Sequence, residues 1–576
     1  MRWHYEHQSE SNILCHPSDE AAWKHFDRTY RDFASDPRNI RLGLCTDGFT
    51  PFEQSGKNYS CWPIILTPYN LPPGICMKRE FMLLTVIIPG PQNPKSKIDV
   101  YLQPLIDELN QLWCEGVTTY DVRAKENFVM RAALMWTINV FPAYGMLSGW
   151  MTQGKLACPC CMERSKAFTL KNGRKNSWFD CHRQFLDTTH PFRRNKDAFL
   201  KNRIEISEPP PYFYGEEVLA RSFRVGGMAM AKLSNRKQKR VVCHWVSSLK
   251  LLDGYASNLG RCVDMREGKL FGMKSHDCHV FMERLLPIAF RALSEPIWAA
   301  ITELSHFCRD ICSTTLREDQ LTIMEVNIPM ILCKLERIFP PSFFDSMEHL
   351  LIHLPFEARM GGPVQYRWMY PFERFLHFLK KNVKNKSRVE GSICEAYIVE
   401  ETSTFASYYF EPHVTSRRTR VPRNDEGGTF NPEFPTISIF NQPGRLVGEA
   451  GRHYLTDKEY DAATLYMFLN CDIVQPFIKF CASMSTYVYD PQNMIEDELI
   501  RDVSRGPLRR LEIWNTYYVN GYKFDTDARS EGKSTINSGV CIRGTDYGQS
   551  EYDYYGILKE IVQLDFFGLP KKNCSF

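Results

Sequence analysis

Short apolar runs alternate with turn residues in the first part of the chain. Residues 42–47, 62–68 and 81–88 are apolar or β-branched and are bounded by Gly and Pro, a pattern that predicts three strands of one sheet. Residues 101–115 instead repeat apolar positions every three or four residues, which predicts an amphipathic helix. Strands followed by a helix predict an α/β layer architecture for this region.

The pattern becomes helical in the second half of the chain. Apolar positions recur at helical spacing in three segments between 285 and 338, and Pro340-Pro341 is expected to end the last of these helices. Residues 411–450 are rich in Pro, Gly, Asn and Arg, which predicts a linker, and 455–485 is predicted to be helical again. The tail 551–576 resembles the first strand or two of a further domain that ends abruptly.

The segment 132–153 contains no charged residue over about the thickness of a membrane. It includes Asn139, Pro142 and two glycines, and no basic cluster marks one flank. We therefore predict a buried helix followed by a turn, and we expect no membrane partner.

Composition limits the function classes only loosely. A chain of 576 residues predicts about three or four domains, and 43% hydrophobic with 24% charged residues is ordinary for globular proteins. The formal net charge of +4 does not by itself indicate a nucleic-acid partner. Twenty cysteines follow a start without a secretory signal, which favours thiols or metal ligands over a disulfide framework.

Asp47 is the best single candidate for catalysis. It follows an apolar run and precedes Gly48, which would place a carboxylate at the open edge of a strand. An Asp-Gly pair in this position is most often only a turn. Phosphodiester transfer with two divalent cations about 4 Å apart requires several such carboxylates, and Mg²⁺ prefers oxygen ligands.

A second group of residues has the chemistry of a zinc site. Cys158-x-x-Cys161 is followed by His182 and His190, and zinc favours two thiolates and two imidazoles in tetrahedral array. The histidines are spaced more widely than in a zinc finger, and two further cysteines nearby offer alternative ligands. The alternative interpretation is a set of buried cysteines and surface histidines.

Basic residues cluster in three segments, 190–203, 236–240 and 380–388. Such clusters contact DNA phosphates, act as nuclear import signals or simply lie on a solvated surface. We predict DNA contacts for residues of the first two clusters: Arg193, Arg194, Lys196, Arg236, Lys237, Lys239 and Arg240.

Several motifs together resemble the transposase of plant CACTA (En/Spm-like) transposons. They are Thr46-Asp-Gly-Phe-Thr-Pro-Phe52, Thr137-Ile-Asn-Val-Phe-Pro-Ala143 and the Cys158-Pro-Cys-Cys161 block with its two histidines. Gly272–His279 and Gly361–Arg374 resemble the domain of unknown function that usually follows the catalytic part. The resemblance covers most of residues 1–410 and a fragment near 551–576.

The resemblance implies an RNase H-like domain with three catalytic acids. Asp47 matches the first acid, whereas Val140 replaces the second. The block that carries the third acid in the family is not found before Asp253, which indicates a deletion or an over-spliced gene. Asp121 is considered as a substitute for the second acid, but a helix cap or turn is favoured for it. Mg²⁺ or Mn²⁺ is expected only if catalysis survives, and zinc is expected to be structural.

The pattern and the resemblance together predict the fold class. It is an α/β RNase H-like N-terminal domain, partly deleted, followed by a mainly α-helical domain and an α+β C-terminal fragment. The predicted regions are 1–40, a remnant of an N-terminal region; 41–240, the RNase H-like domain with the Cys/His insertion; 241–410, the helical domain of unknown function; 411–545, a linker and helical region; and 546–576, the truncated start of a further domain.

The function expected from the resemblance is that of a transposase-derived protein of a CACTA-type transposon, with impaired catalysis. Two alternatives stay open: an active DDE-type transposase that cuts and joins DNA ends, and a DNA- or partner-binding protein without catalysis. The expected partners are transposon DNA ends and proteins from the same transposon, in the nucleus. His276, Asp277 and His279 either ligate a metal or form a polar cluster that caps a helix, which is the favoured interpretation.

Overall fold

Helices and strands follow the apolar segments of the chain. The computed structural model describes residues 1–576 apart from 8, 11, 53–58, 151, 200–202, 213–235, 254, 412–413, 415–443, 472–497, 546–550, 567–573 and 576. The described chain divides into two compact units: Met1–Cys243, Arg266–Lys269 and Met273–Glu411 form the first, and His244–Met265, Leu270–Gly272 and Pro412–Phe576 form the second.

The described strands are Ile13–Leu14 (β1), Ile40–Thr46 (β2), Trp62–Pro68 (β3), Leu83–Ile88 (β4), Val117–Asp121 (β5), Glu126–Met130 (β6), Ala132–Asn139 (β7), Phe168–Thr169 (β8), Asn176–Ser177 (β9), Val263–Asp264 (β10), Lys269–Leu270 (β11), Leu316–Arg317 (β12), Arg445–Val447 (β13), Gly451–Tyr454 (β14), Arg510–Trp514 (β15), Thr516–Val519 (β16), Tyr522–Asp525 (β17), Gly539–Thr545 (β18), Glu551–Ile557 (β19), Ile561–Leu564 (β20) and Cys574–Ser575 (β21).

The described α-helices are Trp3–Glu6 (α1), Ala21–Thr29 (α2), Arg31–Ala34 (α3), Ile98–Cys114 (α4), Phe141–Ser148 (α5), Pro191–Arg194 (α6), Arg236–Ser248 (α7), Ser275–Val280 (α8), Leu286–Ala289 (α9), Glu295–Ile311 (α10), Glu318–Ile338 (α11), Ser346–Leu350 (α12), Leu354–Gly361 (α13), Tyr370–Lys381 (α14), Val389–Ser407 (α15), Asp457–Asn470 (α16), Glu498–Ser504 (α17) and Asp527–Ser530 (α18). A π-helical stretch, Phe281–Leu285, joins α8 to α9.

A four-stranded sheet with the order β4-β3-β2-β7 organises the first unit. Strands β2, β3 and β4 are antiparallel neighbours, whereas β7 runs parallel to β2 and pairs Asn139 with Thr46 at its last position. Because parallel strands end at the same edge, Asp47 and Val140 both follow the sheet at one edge.

Both faces of this sheet are covered, which explains why β3 is buried along its whole length. On one face, Leu44 and Ile64 pack with Leu102 of α4. On the other face, Cys45 and Ile65 share a core with α2 and α14, the latter through Phe372, Phe375, Leu376 and Leu379. The residues 1–40, predicted to be a remnant, belong to this unit, and Trp23 of α2 is 2% exposed in the same core.

The rest of the first unit is mainly helical. Helices α10 and α11 pack through apolar residues that include Phe307, Leu321 and Leu332. Helix α11 ends at Ile338, as expected from Pro340. Pro lacks an N–H and clashes with the preceding turn, so two consecutive prolines disfavour a longer helix, although α11 accommodates the single Pro329 in its interior.

The second unit contains antiparallel sheets with the strand orders β13-β16-β17 and β14-β15-β20-β21, and the hairpin β18-β19. Its buried apolar residues include Met467 of α16, Leu511 of β15 and Ile561 of β20. Part of the predicted helix 455–485 is observed as α16, and the part from 472 lies outside the described residues.

The charge-free segment 132–153 differs from its prediction. It forms the strand β7 and then the helix α5, with Gly149 ending the helix in the left-handed region at φ 67°. A continuous apolar run is compatible with either a buried strand or a buried helix, and pairing with β2 decides in favour of the strand. Among the described residues no helix combines the length and apolar character needed to cross a membrane.

Candidate functional site

Asp47 lies directly after the last residue of β2. Its Oδ1 accepts a hydrogen bond of 2.7 Å from the backbone N–H of Gly48. A Cβ on Gly48 would stand 2.4 Å from the Trp62 indole, so only glycine fits beside this carboxylate without displacing the ring. The Asp-Gly pair is therefore held against the sheet by close packing, as the predicted placement requires.

The neighbouring strand offers no carboxylate at the corresponding place. Asn139 accepts a hydrogen bond of 3.3 Å from the Thr46 N–H through its Oδ1, and Val140 begins the turn into α5. Asp121 lies at the end of β5, in a separate hairpin, where it accepts hydrogen bonds from Arg123 N and Ala124 N. Asp121 is thus a turn residue, as the favoured interpretation predicted.

A second acid, Glu373, lies on α14, the helix that packs in the same core as Cys45 of β2. Helix α14 begins at Tyr370, and its preceding residue Met369 is contacted by the Cys45 thiol of β2, with 3.6 Å between the two sulfur atoms. Glu373 lies in the first turn of α14 and is exposed. An acid in the first turn also interacts favourably with the helix dipole.

The charge of Glu373 affects the ionisation of Asp47. Burial raises the pKa of Asp47 above its ordinary value, the Gly48 N–H opposes this, and the negative charge of Glu373 raises the pKa further. Two like charges at one edge favour the binding of a cation, which lowers their repulsion. Glu373 is absent from the site residues predicted from sequence, because nothing in the local sequence distinguishes it from other first-turn acids.

Four buried side chains form a group with the composition of a metal centre. They are Cys158, Cys161, His349 and His353, and their ligand atoms all lie within 4.8 Å of one another. The Nε2 atom of His353 lies 3.4 Å from both sulfur atoms, and the Nε2 atom of His349 lies 3.4 Å from the Cys161 sulfur and from the other Nε2.

These distances can be compared with a zinc ion's coordination sphere. Zn–S bonds of about 2.3 Å and Zn–N bonds of about 2.0–2.1 Å in a tetrahedron place the ligand atoms about 3.4–3.8 Å apart. The four observed separations of 3.4 Å lie at this scale. The four residues therefore fit the tetrahedral Cys₂His₂ coordination of a zinc ion.

Local structure orients three of the four ligands. The Cys161 N–H donates to the Cys158 sulfur at 3.3 Å, which fixes the Cys-x-x-Cys turn. Asp345 caps α12, accepting from Met347 N at 2.9 Å, and this helix carries His349. The Trp178 ring stacks on the His349 ring with 4.6 Å between centroids.

The electrostatics favour a thiolate at Cys158, whereas the hydrogen bond with Cys158 and burial raise the pKa of the Cys161 thiol. Hydrogen bonds from the thiols of Cys160 and Cys161 hold the pKa of the Cys158 thiol below its ordinary value, and His349 and His353 act in the same direction. A thiolate is the form of cysteine that binds metal ions.

The structure brings together only part of the predicted zinc ligand set. Cys158 and Cys161 are adjacent, but neither His182 nor His190 belongs to their group. His182 is buried, and its Nδ1 contacts Glu336. His190 precedes α6, where its Nδ1 accepts from the Phe192 N–H at 3.1 Å.

His349 and His353 are absent from the predicted ligands because they follow the cysteines by almost two hundred residues. Their His-x₃-His spacing is a recognised zinc-ligand spacing, and it is the sequence feature from which these two ligands could have been predicted. A second group consists of Cys181, His182 and His349, and it shares His349 with the first group. The Cys181 sulfur lies 3.7 Å from His349 Nδ1. The second group therefore adjoins the first group.

The predicted DNA-binding residues differ in exposure. Arg193 is 2% exposed, and its guanidinium donates to the carbonyl groups of Gln184, Leu186 and Ser207. Arg194 and Lys196 are exposed. The remaining four residues, Arg236, Lys237, Lys239 and Arg240, lie in α7, and their side chains are outside the described part of the structure.

Comparison with known families assigns two segments of the chain. Residues 11–225 match the family model described as "Transposase family tnp2". Residues 311–425 match a model described as "Domain of unknown function (DUF4218)". No curated protein matches the chain. The two family matches support a transposase-derived protein, and each candidate site combines residues from both matched segments.

Proposed function

We propose that this chain is a transposase-derived protein of a CACTA (En/Spm-like) plant transposon that binds DNA in the nucleus and has impaired catalysis. The family matches support the transposase origin, and the transposase family suggests DNA as the partner. The motifs around Asp47, Val140 and Cys158 support the finer assignment to the CACTA type.

The observation that carries this proposal is the pair Asp47 and Glu373 beside a third position that lacks an acid. Asp47 follows a central strand, and Val140 follows the parallel neighbour. Glu373 is carried by α14, and its charge raises the pKa of Asp47. We infer that this sheet is an RNase H-like catalytic layer in which two of three acids are retained. The third acid is then Glu373, outside the block in which sequence similarity places it.

The proposed chemistry assigns a role to each of these residues. Asp47 and Glu373 would hold a divalent cation, Mg²⁺ or Mn²⁺, which supplies charge stabilisation at the phosphate when bound. A valine side chain offers no oxygen ligand, so Val140 leaves the edge short of the charge that two ions require. Binding of one ion without efficient strand cleavage is the expected state.

We also propose that zinc binds to Cys158, Cys161, His349 and His353 as a structural ion. All four side chains are buried and all positions of a tetrahedron are filled by protein, which is the pattern of structural zinc. The ion would join the segment that follows α5 to the helices α12 and α13, and so brace the connection between the two family-matched segments.

The experiment that tests impaired catalysis restores the missing acid. Purified full-length protein is incubated with supercoiled plasmid and Mn²⁺, and nicked DNA is measured for Val140→Asp and for Val140→Asn, which has the same shape without the charge. We expect Val140→Asp to nick at least about 100-fold faster than the original chain and Val140→Asn to be inactive, because transition-state charge stabilisation of this kind contributes about 10²–10³-fold.

Two control substitutions show whether the nicking activity depends on Asp47 and Glu373. Adding Asp47→Asn or Glu373→Gln to Val140→Asp should abolish nicking while DNA binding is unchanged. If Val140→Asp binds DNA and cuts no faster than Val140→Asn, the assignment of these residues to an acid site is wrong. If the original chain itself nicks DNA and Asp47→Asn stops it, the active DDE-type transposase is the correct function.

A second candidate function is DNA binding without catalysis, and the exposed Arg194 and Lys196 favour it. A phosphate-binding surface predicts a steep decrease of affinity with salt, with a slope of about 0.9 per phosphate contacted in a plot of log K against log salt. Binding with this slope, together with absence of nicking in Val140→Asp, would select the second function.

A further inference from the structure

The helix that begins at Ser275 is interrupted by a π-helical turn. Residues Phe281–Leu285 form this turn between α8 and α9. The Ser305 hydroxyl donates to the Met282 carbonyl at 2.7 Å, which supplies a partner for a carbonyl within the irregular turn. A π-helical turn is rare and is found frequently at functional sites. Glu283 is carried by this turn.

Three different ligand types meet at the turn. His279 Nδ1 lies 3.2 Å from a carboxylate oxygen of Glu283, and the sulfur of Cys312 completes a group whose ligand atoms are all within 4.8 Å of one another. Cys312 directly follows α10, so the group joins two helices. All three residues are partly buried, which leaves access from solvent.

We propose that His279, Glu283 and Cys312 bind a second zinc ion, distinct from the Cys₂His₂ ion and with one coordination position open. Imidazole, carboxylate and thiolate are all zinc ligands, and zinc sites with three protein ligands leave the fourth position to water or another ligand. A hard ion such as Mg²⁺ is excluded as the preferred occupant by the thiolate. On binding, the Cys312 thiol proton is released to solvent.

Aromatic rings enclose one side of the group. The Tyr370 ring lies edge-on to the His279 ring at 5.2 Å and the Trp368 ring lies edge-on at 6.0 Å. Among the described residues the buried Tyr370 hydroxyl has no hydrogen-bond partner.

These neighbours give the proposed ion a consequence for the acid edge. A metal-bound His279 would be held in one position, and its edge-on contact would then hold the Tyr370 ring. Tyr370 and Glu373 lie one turn apart on α14. An ion bound at the π-helical turn would therefore fix the turn of α14 that presents Glu373. The metal site itself does not depend on the proposed function of that edge.

The first measurement is metal stoichiometry of the full-length chain. Metal-free protein is titrated with Co²⁺, a spectroscopic substitute for zinc, and bound metal is counted by elemental analysis. We expect two equivalents for the original chain. We expect one for Cys312→Ser and two for Cys278→Ser, a matched control because Cys278 is an exposed thiol beside His279 and outside the ligand group.

The second measurement isolates the proposed site. The double variant Cys158→Ser/Cys161→Ser should retain one Co²⁺ with a single thiolate-to-metal charge-transfer band, and adding Glu283→Gln should weaken its binding at least about tenfold. One equivalent in the original chain that Cys312→Ser leaves unchanged would overturn the proposal. So would a double variant that folds and binds no Co²⁺, in which case His279 and Glu283 form only an i,i+4 pair within the helix.

Neither measurement reads nicking activity. Failure of Val140→Asp to cut DNA therefore leaves the metal count unaffected, and a missing second equivalent leaves the acid edge to be judged by its own assay.

Discussion

At the scale of single residues, Glu20 is a buried acid in the first unit. Its side chain is fully buried, and neither carboxylate oxygen has a hydrogen-bond partner among the described residues. A Cβ on Gly362 would stand 2.8 Å from one of these oxygens, so glycine is needed for the approach. Burial, with a smaller contribution from the charge of Asp19, raises the pKa of Glu20 to about 9.

This pKa predicts a pH-dependent stability. The folded state keeps the Glu20 proton up to about pH 9, whereas the unfolded state loses it near its ordinary value of 4.5. The folded state thus binds more protons between these limits, and the free energy of unfolding should decrease as pH rises, by up to about 1.4 kcal/mol per pH unit. Below about pH 4.5 the contribution of Glu20 to the free energy of unfolding does not change with pH.

We expect Glu20→Gln to remove this part of the pH dependence, because the amide does not ionise. Denaturant unfolding of the original chain and of Glu20→Gln between about pH 5 and 9 measures how the free energy of unfolding depends on pH. Glu115→Gln, which removes an exposed acid, is the control and should leave the slope unchanged. Equal slopes in Glu20→Gln and the original chain would show that Glu20 ionises normally.

At the scale of secondary-structure elements, α14 connects packing with the acid edge. Its buried side, Phe372, Phe375, Leu376 and Leu379, packs in the core shared with β2 and β3, and the exposed Glu373 lies beside this buried side. The placement of Glu373 therefore depends on apolar contacts of the same helix.

Truncation of a buried side chain tests how much the packing of α14 contributes to stability. Leu379→Ala should lower the free energy of unfolding by about 2–5 kcal/mol, since it removes a completely buried side chain and leaves a cavity. Lys381→Ala, an exposed position on the same helix, should change it by less than about 0.5 kcal/mol. Chemical denaturation of the two variants measures the difference, and a similar small effect for both would mean that α14 contributes little to this core.

Most elements were predictable where a local pattern decides the structure. The strand at 62–68 is observed with the predicted bounds, and the helix predicted at 101–115 is observed as Ile98–Cys114. The segment beginning at Ala132 was not predictable, because its parallel partner β2 lies about ninety residues earlier and apolar runs alone do not distinguish strand from helix.

At the scale of the whole molecule, the sites depend on residues far apart in sequence. Cys158 and Cys161 could be singled out from their spacing, but their observed imidazole partners follow α11 and are brought to them only by the fold. Likewise, Asp47 was predictable from a motif, whereas Glu373 becomes meaningful only when α14 packs beside β2. Local motifs therefore singled out Asp47, Cys158 and Cys161, and the other members of each candidate site are found only in the folded structure.

The same long-range connection predicts the effect of metal removal. If zinc links Cys158 and Cys161 to His349 and His353, chelation should loosen both segments together, because binding free energy at a structural site contributes to folding. The measurement is hydrogen exchange with and without chelator, carried out in Cys312→Ser so that the proposed second ion is absent. We expect faster exchange in peptides covering 158–185 and 346–361, and unchanged exchange in the hairpin β18-β19 of the second unit. Faster exchange in only one of the two segments would show that no shared ion joins them, since an ion bound by both cannot leave one of them intact.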